Sequence, residues 1–498
     1  MIEATKEILE QFDKLASERK SEILNTKDSV EIKGTAYYVS NDGCDENDGK
    51  TPKTAWKTLE KVSNAKLCAG DAVRFRRGDL FRGVVVAKPG VTYCAYGSGE
   101  KPKFYGWDKN LSDPSLWTLY DDEHNIWKLN ELILDCGTLV FNDGEKHSRK
   151  LIPTYRDNKF VCREDESRVF DMRSEMTDDL DLFCLYDGKF TEKPSKGESF
   201  PVPTLNAEGY GELYLRCDAG NPADVFESIE AIPRICVFSV GDNPDVTIDN
   251  VCIKYTNFGI AAGNSVGLSV TNCEIGWIGG CIQTYLGTDP NYPQGRRGTV
   301  TRYGNGIEAY GSCKDFLVDN CYIYEVYDAG ATHQASTFGN KVTMCGVRYS
   351  NNLIENCVYA IEYFLEKNGG DTESFMDDLE ICNNILRLSG YGWGQQRHNT
   401  HTPAHIKGWS YENTARNYRV HHNVFDRCAY RMLHLVAKDD ESCPDMYENT
   451  YIQKYGMTLG QYGGNKEKEP ANISFFDDAE EKIEDVFKEK NPKVYYIK

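Results

Sequence analysis

Residues 303–366 read YGNGIEAYGSCKDFLVDNCYIYEVYDAGATHQASTFGNKVTMCGVRYSNNLIENCVYAIEYFLE, and one pattern recurs along them. In each copy an Asn precedes a short apolar run, mixed residues follow, and a second short run carries one polar residue among apolar ones. The first run is Asn320-Cys-Tyr-Ile in one copy and Asn351-Asn-Leu-Ile in the next. A unit repeated in this way is typical of a stacked, repetitive fold. The second run recurs as GIEAYG (306–311), GATHQA (330–335) and AIEYFL (360–365).

The same unit continues on both sides of this stretch. It begins again at Asn250, Asn272 and Asn383, and His422-Asn-Val-Phe begins a further copy. The step from Asn250 to Asn272 is 22 residues, and that from Asn351 to Asn383 is 32. Short β-branched runs that cannot bury an apolar face alone must stack on one another. We therefore predict an all-β fold, a right-handed parallel β-helix whose coils are roughly 4.8 Å apart. The asparagines should form a ladder of left-handed, hydrogen-bonded turns.

The composition limits the partners. The chain has 498 residues, with 57 Lys and Arg against 77 Asp and Glu, and its formal net charge is −20. This excess of negative charge argues against nucleic acid and against an anionic membrane surface as partners. No apolar run approaches the roughly 20 residues that a membrane-spanning helix needs. The oligomeric state stays open, and a homo-oligomer is compatible with the composition.

The first residues, MIEATKEILEQFDKLASERK, are charged and amphipathic and unlike a secretory signal. We predict a helix in residues 1–35 that caps the open end of the coils. The 18 cysteines include no C-x-x-C pair, so we predict free thiols, a cytoplasmic location, and neither a metal nor another cofactor. His401 and His405 are four residues apart, but Pro403 between them argues against a helical metal-binding pair.

Two longer motifs lie near the N-terminus. Residues 38–52 follow the pattern Tyr-Val-Ser-x-x-Gly-x-Asp-x-Asn-x-Gly-x-x-Pro, and residues 70–79 follow Gly-Asp-x-Val-x-Phe-x-x-Gly-Asp. Trp56-Lys-Thr-Leu lies between them. This opening resembles that of many right-handed β-helix carbohydrate-active proteins. The resemblance implies that residues 36–104 form the first coils.

Residues 105–235 interrupt the repeat. They contain three tryptophans and short alternating runs such as GELYLRC (211–217), which we interpret as an inserted antiparallel β-sandwich. A β-helix interrupted near its start by a sandwich resembles the β-helix β-xylosidases and their relatives in glycoside hydrolase families 120 and 141. Residues 236–437 then form the main coils. Residues 438–498, which are acidic and rich in Tyr, are predicted to cap the far end.

One column of outward-facing residues carries carboxylates. When the strands are aligned by their inward apolar residue, the residue that follows faces out. Asp328 lies on the turn that leads into one of these strands. Glycoside hydrolysis uses two carboxyl groups, one as acid and one as nucleophile or base, so we predict Glu362 as the general acid, with Glu308 or Asp328 as its partner. The column reads Ala261, Gln283, Glu308, Thr332, Glu362, Lys407 and His434.

The neighbours of Glu362 support that choice, since Tyr363 and Phe364 follow it and apolar surroundings raise the pKa of a carboxyl group. Glu308 and Glu362 are two coils apart, roughly 9–10 Å between backbones, and Asp328 lies on the coil between them. In the β-xylosidases that the chain resembles, the acidic residues also lie on strands of neighbouring coils. The alternative is a solvated sheet face, on which outward carboxylates are ordinary.

Eight further residues are predicted to bind a sugar. Histidine and glutamine side chains can hydrogen-bond its hydroxyl groups, and aromatic rings can stack on the apolar face of a pyranose. Packing of the rings and structural hydrogen bonds of the histidines are the alternatives. The set is Gln283, Tyr310, His333, Gln334, Trp393, His405, Trp409 and His434.

Two long loops, residues 287–304 and 390–409, leave the coils and are long enough to wall a pocket around the column. We therefore predict an exo-acting glycosidase with an oligosaccharide substrate. A polysaccharide lyase or uronate epimerase is the alternative, because its chemistry needs cations and a base. A carbohydrate-binding protein without catalysis is the further alternative. The cations and bases available to a lyase are Arg296, Arg297, Arg302, Arg348 and Lys407.

Overall fold

The computed structural model describes residues 1–28, 30–156, 159–186, 190–194, 201–206, 209–286, 300–367, 370, 373–397, 403–464, 473–474 and 478–498. Most of these residues are wound into coils, and successive coils contribute strands to three long sheets. We number the sheets in the order in which a coil visits them. Strands of successive coils pair in parallel. The fold is therefore the predicted right-handed parallel β-helix.

The strands of each sheet follow in the order of the stack. The first sheet contains Ala36–Val39, Ala72–Arg76, Thr92–Tyr96, Thr247–Asp249, Ser269–Thr271, Cys313–Asp319, Thr343–Ser350, Phe375–Cys382, Ala415–His421 and Asp445–Tyr447, with Ser265–Val266 beside Cys313–Asp319. The second contains Leu80–Arg82, Lys103–Tyr105, Cys252–Thr256, Glu274–Ile278, Tyr322–Val326, Leu353–Glu355, Ile385–Ser389, Val424–Cys428, Thr450–Lys454, Lys493–Ile497 and Ile2–Glu3. The third contains Val85–Val86, Cys236–Gly241, Phe258–Ala262, Ile307–Tyr310, Ala329–Ser336, Tyr359–Glu366, Ala404–Gly408, Leu433–Ala437, Thr458–Gly464 and the antiparallel Ile473–Ser474.

The predicted asparagine ladder lies at the corner between the first and second sheets. Asn272, Asn320 and Asn351 follow strands that pair in register, and their φ angles are 56°, 51° and 56°. The Asn320 side chain donates to Oδ1 of Asn272 at 2.7 Å, and that of Asn351 donates to Oδ1 of Asp319 at 2.7 Å. Asn is among the few residues that tolerate a positive φ. Its recurrence at this corner therefore marks where each coil turns.

A second ladder of amides lies inside the later coils, one residue beyond the first. Each Nδ2 donates to Oδ1 of the next asparagine at 2.9–3.0 Å, and Glu489 accepts from the last one at 3.0 Å. Buried amides that are paired in this way fix the register of one coil on the next. The ladder consists of Asn352, Asn384, Asn423 and Asn449.

Two short helices pack against the ends of the apolar core. The helix Leu59–Asn64 contacts the strand Val85–Val86, and its Leu59 and Val62 are buried in the core. At the other end the helix Ala479–Val486 buries Ala479 and Ile483 in the same core. Apart from the N-terminal helix, the other helical segments of the described residues are Met172–Glu175 and Pro222–Val225, with the short 3₁₀ turns Pro52–Thr54, Pro114–Leu116, Asn142–Gly144, Trp393–Gln396 and Asp440–Ser442.

The N-terminal helix, Lys6–Leu24, does not lie over an open end as we predicted. It runs along the outside of the second sheet, where Ala16 and Ile23 are buried against that sheet. The strand before it, Ile2–Glu3, pairs in parallel with Lys493–Ile497. An apolar stripe on a helix fits the flank of a coil stack as well as its end, so amphipathicity alone could not choose between them. The side chains that contact the helix come from successive coils, Tyr322, Leu353 and Ile385.

The predicted inserted β-sandwich lies between Lys103–Tyr105 and Cys236–Gly241. Two small, mainly antiparallel sheets share one apolar core that contains Leu139, Leu182 and Leu213. One sheet consists of Arg149–Lys150, Asp181–Tyr186, Tyr210–Arg216, Ile126–Leu129 and Trp117–Asp121, with Ile133–Leu134. The other consists of Lys146–His147, Cys136–Phe141 and Ile229–Pro233, and a separate hairpin joins Thr154–Arg156 to Lys159–Val161.

All 18 cysteines have free thiols. Cys273 and Cys321 occupy equivalent inward positions on neighbouring coils, where each fills a small space in the apolar core. Among the described residues, no helix is both long and apolar enough to cross a lipid bilayer.

Candidate active site

A row of polar residues follows the outward face of the third sheet, one residue from each of five successive coils. Glu308 pairs with Thr332, Thr332 with Glu362, Glu362 with Lys407, and Lys407 with His434. This is the register that the sequence alignment predicts for these five residues. Glu308 and Glu362 are therefore two coils apart on one face.

Among the described residues, amides hold Glu308 and no cation pairs with it. Its Oε2 accepts from Nδ2 of Asn305 at 2.6 Å and from Nε2 of Gln334 at 3.0 Å. The pKa of Glu308 is raised to about 7: burial is the largest cause, the charges of Asp328 and Glu362 add to the rise, and the two amide hydrogen bonds oppose it. Glu308 therefore holds a proton on a sizeable fraction of molecules near neutral pH. A carboxyl group in this state can act as a general acid.

Glu362 faces a lysine. Its Oε1 lies 3.2 Å from Nζ of Lys407, and the same Nζ lies 3.7 Å from the centre of the Tyr359 ring. Glu362 is only 6 % exposed. Burial raises the pKa of Glu362, and the charge of Lys407 opposes that rise. Lys407 therefore keeps Glu362 ionised over more of the pH range than burial alone would allow.

Asp328 forms an ion pair with Arg397 and is 4 % exposed. It lies on the turn before Ala329–Ser336, the coil between those of Glu308 and Glu362. Its charge raises the pKa of both glutamates. Asp328 is thus a paired carboxylate close to both. The Arg397 guanidinium also lies over two rings, 5.7 Å from the centre of Tyr303 and 5.4 Å from that of Tyr359.

A short turn, Trp393–Gln396, positions Arg397. The backbone N of Trp393 donates to Oε2 of Glu325 at 2.8 Å, and its indole Nε1 donates to the Glu325 carbonyl at 2.8 Å. Nε2 of Gln396 donates to the carbonyl of Ser148, in the insert, at 2.8 Å. The turn is therefore fixed between the coils and the insert.

The sequence did not single out Arg397, Tyr303, Tyr359 or Asn305. Arg397 belongs to one of the two long loops, which was a signal of function, but nothing in its spacing showed that it reaches Asp328. Tyr359 lies three residues before Glu362, as Asn305 lies three before Glu308. That shared offset was the available signal, because both residues lie at the same corner of their coils.

Some of the predicted sugar-binding residues lie on the outward face. Gln334 and Tyr310 are paired neighbours, two residues beyond the carboxylate row. Trp409 packs against Phe364 with ring centres 4.6 Å apart, and both rings are partly exposed. His434 ends the row of five and is partly buried; burial, with the charges of Arg431 and Lys407, lowers its pKa to about 3.

Three predicted sugar-binding residues lie inside the protein instead. His333 is 1 % exposed, and its Nδ1 lies 2.9 Å from the hydroxyl of Tyr349. His405 is fully buried, with Nδ1 2.9 Å from Oγ of Ser389. Trp393 is buried in the turn that holds Arg397. His333 follows outward-facing Thr332, so strand alternation turns it inward. We leave these three residues out of the site.

Gln283 is not in the row either. The strand Phe258–Ala262 pairs directly with Ile307–Tyr310, while Cys281–Leu286 leaves the stack and pairs antiparallel with Val300–Tyr303. Oε1 of Gln283 accepts from Nη2 of Arg234 at 3.1 Å. The alternation in CIQTYL is the same in a strand beside the stack as in one within it, so the alignment placed Gln283 in the column. The sheet that contains it also includes Phe190–Pro194 and Pro201–Asn206.

Several predicted loop residues lie outside the described residues. They are residues 287–299, with Arg296 and Arg297, and residues 398–402, with His401. Arg302 is described, and its Nε donates to the Gly280 carbonyl at 2.6 Å.

One group of potential metal ligands occurs in the described part of the chain, on the first sheet. Ligand atoms of Glu380, Cys382 and His421 lie within 4.8 Å of one another. Arg348 and Arg419 each place Nε 3.2 Å from the Glu380 carboxylate. Two guanidinium groups already neutralise that carboxylate, so the group is poorly suited to a cation. The same contacts place Arg348 on a different sheet from the carboxylate row.

No protein-family model and no curated protein sequence matches the chain. Similar solved structures include one described as a glycoside hydrolase, at 10 % identity and a TM-score of 0.41, covering 93 % of this chain and 96 % of that one. Another is XylC in complex with xylose, at 12 % identity and 0.38, covering 93 % and 83 %. A third is the lacto-N-biosidase of family GH136 from Eubacterium ramulus, at 12 % and 0.38, covering 99 % and 71 %. At such scores, function has to be argued from the chain's own residues.

Proposed function

We propose that the protein is a glycoside hydrolase in which Glu308 is the general acid and Glu362 is the ionised partner. One observation carries this proposal. Two glutamates on the same face have opposite partners, since amides hold Glu308 and an ammonium group faces Glu362. Glycosidases need this asymmetry, because one carboxyl group must be protonated while the other is ionised.

This assignment exchanges the roles that the sequence suggested. Tyr363 and Phe364 gave the reason for choosing Glu362 as the acid, but the Tyr363 side chain lies in the core. Lys407 favours the charged form of Glu362, as a base or nucleophile requires. No cation faces Glu308 in the described part of the chain, and its pKa is raised to about 7, with burial as the largest cause. We therefore assign the role of proton donor to Glu308.

In this mechanism Glu308 gives its proton to the glycosidic oxygen as the bond to the anomeric carbon breaks. The carboxylate of Glu362 takes a proton from the attacking water, whose oxygen forms the new bond to the anomeric carbon. Glu308 and Glu362 are two coils apart, and that spacing favours inversion, which uses carboxyl groups about 6.5–9.5 Å apart. Retention would instead favour Asp328, on the coil between them, as the nucleophile.

We propose that Gln334, Tyr310, Trp409 and His434 contact the sugar, since they lie on the same outward face as the carboxylates. Exo attack on an oligosaccharide remains part of the proposal. Its direct measurement is product size: an exo-acting enzyme releases one small product from the first minutes, whereas internal cleavage gives a ladder of fragments.

Lyase or epimerase chemistry is less well supported. The base of a lyase must be unprotonated at the working pH. The pKa of Lys407, the candidate base, is raised, because the charge of Glu362 and the contact with Tyr359 together outweigh the opposing effect of burial. Lys407 is therefore poorly suited to that role. Arg348, another predicted cation, is bound to Asp378 on the first sheet. The remaining alternative, binding without turnover, requires no acid group of raised pKa beside an ionised one.

The test is a panel of aryl xylosides, arabinofuranosides, galactosides and fucosides, together with unsubstituted oligosaccharides. We expect hydrolysis of at least one class, no ultraviolet-absorbing unsaturated product, and loss of activity in Glu308→Gln and Glu362→Gln. Proton NMR of the first-formed anomer separates inversion from retention. An unsaturated product would establish the lyase alternative, and binding without turnover across the panel would establish the third.

A further inference from the structure

We propose that the far end of the same face, at Arg431 and His434, binds the carboxylate of an acidic sugar, so that the substrate is a uronate-bearing oligosaccharide. This inference rests on the proposed function and adds the chemical class of the substrate to it. The sugar that carries the carboxylate would occupy a subsite beside the cleaved bond.

Arg431 is a buried cation whose partner is not a carboxylate. It is 8 % exposed. Its Nη1 donates to Oε1 of Gln461 at 2.6 Å, and its guanidinium lies 5.1 Å from the centre of the Tyr430 ring. Its buried Nε has no hydrogen-bond partner in the described residues. Buried polar groups are nearly always paired, so an unpaired guanidinium N–H on this face indicates a missing acceptor.

A second unpaired atom belongs to His434, three residues further on. Its buried Nδ1 also has no hydrogen-bond partner among the described residues. His434 pairs with Lys407 of the neighbouring coil, and the charges of Arg431 and Lys407 both act on its imidazole. Depending on its tautomer, neutral His434 can donate through Nδ1. The guanidinium Nε and the imidazole Nδ1 thus offer two donors to one oxyanion.

The ion pairs on this outward face also indicate that an anionic group binds at Arg431. Glu362 is paired with Lys407, and Asp328 with Arg397. Among the described residues, Glu308 at one end of this face and Arg431 at the other have no ionic partner. A ligand that spans the row would complete both, with a glycosidic oxygen at Glu308 and an anionic group at Arg431.

The distance along the stack selects the neighbouring subsite. The coil of Arg431 lies two coils beyond that of Glu362, roughly 10 Å at the spacing of paired strands. That is too far for a substituent on the ring that is being cleaved. A guanidinium group suits the planar carboxylate of a uronate, which can accept through both oxygens.

The test measures binding, so that it does not depend on turnover. Methyl glucuronides and galacturonides are compared with the matching methyl glucosides and galactosides, by calorimetry or by ligand-observed NMR. We expect wild type to bind at least one uronide tenfold or more tightly than its neutral counterpart, with the preference weakened by salt. Methyl galactoside 6-sulfate is a further arm. If it binds as tightly as the best uronide, the site recognises any anion and the commitment to a carboxylate is wrong.

Arg431→Gln should abolish the preference and leave the affinity for neutral glycosides unchanged. Arg431→Lys, which keeps the charge without the fork, should restore part of it. The matched control is Arg416→Gln, which removes an exposed arginine from the first sheet and should change nothing. Thermal unfolding establishes that each variant is folded; if Arg431→Gln is not, His434→Leu tests the same subsite and should reduce the preference.

The two proposals fail in different ways. If uronides bind no better than neutral glycosides to wild type, or if Arg431→Gln keeps the preference, the acidic subsite is wrong while hydrolysis of neutral substrates can still stand. If uronides bind as expected but no glycoside is hydrolysed, the subsite stands and the hydrolase proposal is wrong.

Discussion

Glu308 and Glu325 are chemically identical, and burial raises the pKa of each to about 7, but they lie in regions of different character. Glu308 lies on the outward face of the third sheet, where Gln334 donates to it and the charge of Glu362 acts on it. Glu325 lies on the second sheet and accepts from the backbone N of Trp393 at 2.8 Å. The charge of Glu355 also acts on Glu325, so a raised pKa with a charged neighbour does not by itself mark a catalytic acid. The feature that separates the two glutamates in the proposed function is the position of Glu308 on the outward face, beside Glu362.

The largest expected effect separates these two glutamates by catalysis. Glu308→Gln should lower kcat/KM at least a hundredfold on a substrate with a poor leaving group, because proton donation contributes about 10²–10⁴ to such rates. The loss should be small on a dinitrophenyl glycoside, whose leaving group needs no proton. Glu325→Gln should leave the ratio of the two rates unchanged, because Glu325 lies on the second sheet and is not part of the proposed site. Equal losses on both leaving groups in Glu308→Gln would show that Glu308 is not the acid.

Stability, in contrast, should not separate them. A carboxyl group whose pKa is raised on folding contributes stability below its unfolded pKa, near 4.3, and that contribution is lost as the pH rises through about 7. Between pH 5 and pH 8 each glutamate should cost the folded state up to about 3 kcal/mol, at about 1.4 kcal/mol per tenfold change in proton affinity. Glu308→Gln and Glu325→Gln should each reduce the pH dependence of unfolding measured in urea. No reduction in either variant would contradict both pKa values.

The partner of Glu362 gives an intermediate effect. Lys407→Met keeps an apolar side chain but removes the charge that favours the ionised carboxylate, so the pKa of Glu362 should rise. The acidic limb of the pH–rate profile should move to higher pH, with about a tenfold loss of activity at pH 6, which corresponds to about 1.4 kcal/mol. Lys438→Met, at an exposed position, is the control. An acidic limb that stays in place would remove Glu362 from the role of ionised partner.

The smallest effect concerns a single amide. Gln334→Met removes one of the two hydrogen bonds that lower the pKa of Glu308. The pKa should rise, so the basic limb should move to higher pH, and the relative activity at pH 8 should increase a few-fold, since one such bond contributes about 1 kcal/mol. A basic limb that moved to lower pH would mean that a group other than Glu308 sets it.

The sequence was sufficient for the coil register because the corners are marked chemically. A positive φ at Asn272, Asn320 and Asn351 restricts the residue type at this corner. Because the same residue type recurs once per coil, the coils can be counted from the sequence. Once the coils are counted, Glu308 and Glu362 fall on one face without any knowledge of contacts. Alternation within the strand also contained the information that His333 points inward, beside outward-facing Thr332.

The remaining features depend on contacts between residues distant in sequence. Cys281–Leu286 has the pattern of a coil strand but pairs outside the stack, because the strand Val300–Tyr303 offers it an antiparallel partner. The pairing of Asp328 with Arg397 joins two loops across 69 residues. The same kind of contact decides the electrostatics, since the cation beside Glu362 comes from the next coil. Local sequence patterns do not encode such pairings. The proposed roles of the two glutamates, acid and ionised partner, therefore could not be assigned from the sequence.

The flanking helix Lys6–Leu24 has a consequence for the order of assembly. The coils that bury Ala16 and Ile23 follow the helix in the chain by hundreds of residues and are therefore synthesised after it. Its Arg19 donates to the carbonyl of Asn351, 332 residues downstream, at 2.6 Å. The strand Ile2–Glu3 cannot form its parallel pairing until Lys493–Ile497 has been made. At about 5–20 residues per second the ribosome needs tens of seconds to supply these partners. The helix can therefore dock on the second sheet only after the coils of Tyr322, Leu353 and Ile385 have been made.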